Sequence, residues 1–151
     1  MTNRHSPSLR TAVFAAVAVI GIAGTAHADA IEDRQASMKN VGKAIGALAK
    51  IAKKEAPFDA AVVNTNATTM ADNLKTAKGQ FPDGSATGAK ESWAKAEIWQ
   101  NKADFDAKMD KSVEAAMAMA AVTAEADFGA ALGALGNTCK ACHQDYRRPK
   151  Q

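Results

Sequence analysis

Five consecutive residues carry the chemistry available to this chain: Cys139-Lys140-Ala141-Cys142-His143. Thiols at i and i+3 share one face of a helix, and an imidazole follows the second directly. C-x-x-C-H is the attachment pattern for c-type haem. Each thiol can bond one haem vinyl group as a thioether. His143 is then placed below the porphyrin, where its nitrogen coordinates the iron as proximal ligand. The expected cofactor is one covalently held haem c with its iron. Three other chemistries share part of the pattern. A thioredoxin-like dithiol normally opens a helix after a strand, whereas these residues fall late in a helical pattern. A structural disulfide suits an exported chain but gives no role to the histidine. A structural zinc site needs four good ligands, more than the chain supplies.

The N-terminus bears on which residues remain to do this chemistry. Arg4 and Arg10 precede an apolar run from Ala12 to Ala23, and Ala26-His27-Ala28 presents small residues where a signal peptidase reads. Residues 1–28 therefore read as a secretory signal cleaved after Ala28, with residues 29–151 as one exported, periplasmic domain. The apolar run is too short to span a bilayer, so no membrane span is expected after cleavage. The leader holds two basic and no acidic residues, so its loss lowers the net charge from +3 to about +1. No basic field remains to favour nucleic acid as a partner. His5 and His27 also leave, making His143 the only histidine of the domain and excluding sites that need two.

The elements that position the motif are helical throughout. Apolar residues recur at three- and four-residue spacing in four segments, and none shows strand alternation. The first runs from about Ala30 to Lys53, with Ile31, Gln35, Met38, Val41, Ile45, Leu48 and Ala52 along one stripe. Pro57 restarts the chain into a second helix carrying Phe58, Val62, Thr65, Thr69 or Met70, Leu74 and Ala77, with Gly79 as its stop. Residues 80–96 read as a long loop whose Phe81 and Trp93, with Ile98 and Trp99 just beyond, suggest that it packs down. A third helix from about Lys102 to Ala124 turns Phe105, Met109, Val113, Ala116, Met119 and Ala120 inward. A fourth from about Ala126 to Arg147 carries Phe128, Leu132, Leu135, Cys139, Cys142 and Tyr146. Four amphipathic helices in a small domain predict an all-α antiparallel four-helix bundle. With 5% aromatic residues, such a core needs close helix packing or a large apolar guest.

A C-x-x-C-H on the last helix of such a bundle resembles the class II c-type cytochromes, which include cytochrome c′. The resemblance spans the expected domain. It includes Arg34-Gln35-x-x-Met38-Lys39, Pro57-Phe58-Asp59, Phe81-Pro82-x-Gly84-Ser85, Glu97-Ile98-Trp99 and Gly136-x-x-Cys139-Lys140-Ala141-Cys142-His143-x-x-Tyr146-Arg147. It implies that Arg34 and Gln35 lie beside the haem and its propionates, that Arg147 lies near the proximal imidazole and that Trp93 approaches the haem edge. It also implies a homodimer through the first two helices. Arg147 equally suits plain charge compensation at a helix C-terminus.

Met38 decides the subtype. The resemblance puts it on the distal face of the haem. There a ligating methionine gives a six-coordinate electron carrier, and a crowding one gives a five-coordinate protein open to small gases. Met38-Lys39-Asn40-x-Gly42 resembles the six-coordinate members more closely. The expected function is a non-enzymatic electron carrier with His143 and Met38 as axial ligands and an unidentified redox partner protein. The alternative is a protein that binds or sequesters nitric oxide or carbon monoxide. Met70, Met109, Met117 and Met119 are expected to fill the core.

Overall fold

The computed structural model describes Met1 and residues 25–149 apart from Ala89; most of the expected leader lies outside the described residues. The helices are α1 (Thr25–Ala52), α2 (Ala60–Lys78), α3 (Glu97–Gln100), α4 (Lys102–Ala120) and α5 (Glu125–Tyr146). The four long ones form the expected antiparallel four-helix bundle. The single turn α3, unforeseen in the sequence, ends the long α2–α4 connection. Among the described residues no helix is long and apolar enough to cross a membrane.

Local chemistry sets the boundaries. α1 ends where Lys54 takes a left-handed conformation (φ 61°). The Glu55 amide then donates back to the Lys50 carbonyl at 2.9 Å, which satisfies an orphan acceptor of the last turn. Asp59 caps α2, accepting from the amides of Ala61 and Val62 at 2.8 and 3.2 Å. The helix thus starts at Ala60, three residues after the proline that interrupts the chain. In the loop, Gly84 has φ 81° and the Ser85 amide donates to the Pro82 carbonyl at 3.1 Å. That turn needs a residue free to adopt positive φ.

The core is aliphatic in its middle and aromatic at its ends. Val41 and Leu48 of α1, Val63 and Met70 of α2, Met109 and Met119 of α4, and Leu135 of α5 are buried along its length. Phe58 meets Phe128 edge-on at 5.8 Å at one end. At the other, Phe105 meets Phe81 at 4.7 Å and Tyr146 at 5.4 Å. Several assignments are corrected; on α1, Ala52 is exposed and Ile51 is the buried residue. Val62 is 43% exposed and its neighbour Val63 is buried, because the cap at Asp59 sets a register turned by one residue. Met117 is 54% exposed; Ala116 and Met119 hold the inward positions of that turn.

Candidate functional site

α5 presents the attachment motif in its last two turns, with Cys139 half-buried, Cys142 buried and His143 exposed. Both thiols are free. Burial pushes the Cys142 thiol up to about 11 and raises Cys139 in the same direction. Both sulfurs are therefore protonated near neutral pH, whereas a dithiol oxidoreductase depends on a lowered thiol pKa. Desolvation by the surrounding protein, followed by the charge of Arg147, draws the His143 pKa below its usual value. The neutral imidazole that results is the form that binds a metal.

The end of α5 is tied down from two sides. The Tyr146 hydroxyl donates to Asp104 Oδ2 at 2.5 Å, and Lys108 Nζ lies 2.7 Å from the same oxygen. The Asp104 hydrogen bond pushes the tyrosine up to about 12. On the other side, Ala94 and Arg147 form an isolated antiparallel bridge. The Lys95 amide donates to the Tyr146 carbonyl at 3.0 Å, and the Arg148 amide donates to the Trp93 carbonyl at 2.8 Å. Arg148 Nη2 also donates to the Ser92 carbonyl. This clip brings Trp93 to Arg147, whose guanidinium lies 5.0 Å from the ring centroid. Arg147 is one turn past His143, so Trp93, Arg147 and His143 share one corner. A shallow cleft of about 310 Å³ opens there, with His143, Lys140 and Arg147 on its walls.

α1 grips the same loop from across the bundle. Arg34 is only 4% exposed, which removes a solvated surface charge as its explanation. Its Nη2 donates to the Ser85 carbonyl at 2.8 Å and to Ser92 Oγ at 2.7 Å; its Nη1 reaches Ser85 Oγ at 3.2 Å. The guanidinium also lies 4.9 Å from the Phe81 ring and 5.7 Å from that of Trp99. The hydrogen bonds of Arg34 thus go to the α2–α3 loop. Gln35 Nε2 donates to the Glu91 carbonyl at 2.7 Å in the same loop. The sequence marks Ser85 only as part of a turn and does not mark Ser92; a buried arginine without a carboxylate must find hydroxyl and carbonyl acceptors.

Helix packing around the bundle is uneven. α1 packs on α2, α2 on α4 and α4 on α5, but α1 and α5 meet only sparsely. Met38 and Ile45 are half-buried on α1, as are Leu132 and Cys139 on α5. Gly42 stands one turn after Met38 and Gly136 one turn before Cys139, and a Cβ at either would meet nothing within 4 Å. Glycine inside a helix costs about 1 kcal/mol relative to alanine, so these positions forgo helix stability while leaving room. Two protonated thiols one turn apart, a neutral imidazole and a thinly packed, glycine-flanked seam fit a covalently attached haem.

Bundle, motif and seam together define a c-type cytochrome built on four helices. The family described as Cytochrome C' matches residues 29–147, and the chain belongs to that family. Its cofactor is covalent haem c with iron, and the two cysteines such attachment requires are present. Cytochrome c-556 of Agrobacterium fabrum is 44% identical over 122 residues, covering 80% of this chain and 82% of that protein. The structure of cytochrome c' from Rhodopseudomonas palustris superposes with a TM-score of 0.77 at 37% identity, covering 82% of this chain and 98% of the other. The nitric oxide complex of a single-residue mutant of cytochrome c prime from Alcaligenes xylosoxidans has a TM-score of 0.73 at 26% identity, with 83% and 99% covered.

Proposed function

We propose that the mature domain is a periplasmic one-haem electron carrier, its haem held by Cys139 and Cys142, with His143 and Met38 as axial ligands. The haem, when bound, supplies an iron that gains and loses one electron. Everything else is positioning. Cys139 and Cys142 fix the group to α5. His143 offers a neutral nitrogen, kept so by desolvation and by Arg147. Met38 offers a soft thioether that has no proton to lose. Arg34 and Gln35 hold the loop bearing Trp93 against the site. Export is supported by the basic-apolar-small pattern of residues 1–28 and by a family match that begins at residue 29.

The observation that carries the ligation is the place of Met38: half-buried, on the α1 side of the thin seam across from the helix bearing His143. A second reading is favoured by the nitric oxide complex of the Alcaligenes relative. In it Met38 crowds the iron without binding it, and the protein takes up small gases. Optical spectra of the purified holoprotein separate the two. The carrier is low-spin in both oxidation states and its ferrous form binds carbon monoxide slowly. Met38→Ala then turns it high-spin and lowers its potential. A wild type that is high-spin in both states near neutral pH overturns methionine ligation and leaves the gas-binding protein.

A further inference from the structure

Among the described residues, the cleft beside His143 is lined by Lys95, Lys140, Arg147 and Arg148, with Gln144 and Pro149 and no carboxylate. Lys140, Arg147 and Arg148 are exposed and Lys95 is half-exposed. The whole chain has 19 basic and 16 acidic residues. Four cations around one small cleft are therefore a local concentration on a nearly neutral domain. Part of it has a structural use. Lys95 Nζ donates to the Gln144 carbonyl at 3.0 Å, and cations suit the C-terminus of α5. Those uses occupy donors without cancelling charge. The nearby carboxylates Glu97, Asp104 and Asp145 line an adjoining groove that shares Lys95 and Gln144 with the cleft, so Lys95 stands on the boundary between the two. Lys108 already answers two of them, lying 2.7 Å from Asp104 and 3.3 Å from Asp145.

Building on the haem attachment proposed above, the geometry points to this basic corner as the docking surface for an electron-transfer protein whose redox face is lined by carboxylates. His143 stands on the wall of the cleft, so a partner seated there is next to the iron's protein ligand. Opposite charge steers such an encounter and is screened by salt. In the exchange, one electron leaves the ferrous iron for the partner's oxidised centre; no bond forms or breaks and no proton moves.

Stopped-flow oxidation of the ferrous holoprotein by an acidic blue-copper protein tests this, the cupric ion taking the electron. The second-order rate should fall about tenfold or more between about 0.05 and 0.5 M salt. Lys95→Glu with Lys140→Glu should lower the low-salt rate about tenfold, and Lys95→Glu alone about threefold. Lys50→Glu with Lys53→Glu makes the same charge change near the end of α1 and should stay within about twofold of wild type. All rates should converge at high salt, where a changed potential would still separate them. Unchanged visible spectra confirm that each variant holds haem; a missing haem spectrum would fault the attachment and not the docking. Equal low-salt losses for the two double variants would overturn the corner as the docking surface. So would sensitivity to Lys95 and Lys140 with ferricyanide as oxidant but not with the blue-copper protein, which would make it a small-anion site.

Discussion

The α2–α4 seam and the α1–α5 seam are built by opposite means. Between α2 and α4, Val63, Ala67, Met70 and Ala71 face a helix that buries Met109, Val113, Ala116 and Met119. Alanines let the helices approach, and methionines fill what remains. Between α1 and α5 the helices barely touch, the apolar residues are half-buried, and Gly42 and Gly136 leave open space. One seam is completed by the chain itself. In the proposed site, the other is completed by the cofactor, which supplies the apolar mass that a chain poor in aromatics lacks. Stability and function are thereby segregated around one bundle.

Abolishing attachment breaks that division most severely. Cys139→Ala with Cys142→Ala should lower the melting temperature by more than about 10 °C, equivalent to about 3 kcal/mol of lost cofactor linkage. Hydrogen exchange should show α1 and α5 losing protection while α2 and α4 keep most of theirs. A uniform loss would mean that the seams are not independent. Paired truncations sharpen the contrast. Met70→Ala, at a fully buried position of α2, should cost about 2–5 kcal/mol by chemical denaturation without altering the haem spectrum. Met38→Ala should cost about 1 kcal/mol or less in the haem-free chain and change the spectrum strongly.

The division was only partly legible in the sequence. The four long helices, the loop between Gly79 and Glu97 and the haem motif follow from periodicity, turn residues and spacing, but the single turn α3 does not. Nor does the register of α2. Ala61, Val62, Val63 and Ala67 make apolar contrast weak around the helix, and the aspartate cap decides which valine faces in. Met117 misled for the same reason, since a methionine among alanines looks like core from any side. Arg34 was singled out, but its partners were not. Ser85 and Ser92 are 51 and 58 residues away, and no local pattern marks a loop hydroxyl as an arginine's acceptor.

A third experiment tests that long-range tie. Arg34→Met should destabilise the protein by about 2 kcal/mol, because buried acceptors on Ser85 and Ser92 lose a charged donor. It should also raise exchange at the amides of residues 84–95 more than in α2. A variant as stable as wild type would show that the loop is held by its aromatic contacts alone. The smallest effect belongs to Asp104. Lys108 and the Tyr146 hydroxyl hold its carboxyl below the usual 3.8. A carboxylate lowered in the folded state stabilises above its unfolded pKa, and the gain is lost as pH falls through 3.8 and on to the lower folded value. Tyr146, raised from 10.0 to about 12, contributes below pH 10 and loses that contribution as pH rises toward 12. Asp104→Asn should flatten both limbs of the stability profile measured by thermal melts from about pH 2 to about pH 12. Unchanged limbs would remove the contact from the balance.

The placement of the indoles has an optical consequence. The chain has two tryptophans, Trp93 and Trp99, and both lie between α2 and α4 at the haem-motif end. Trp99 Nε1 donates to the Pro82 carbonyl at 2.8 Å, and Trp93 lies under Arg147. Intrinsic emission therefore originates in the connection from α2 to α4, Trp93 in its loop and Trp99 on α3, and not in the α2–α4 seam. A haem absorbs at the wavelengths that indoles emit, so emission should be quenched in the holoprotein and brighten as soon as the loop swings away. Far-ultraviolet dichroism, which registers all the helices, would change only afterwards. The two signals supply a built-in clock for whether the cofactor corner opens before the bundle melts.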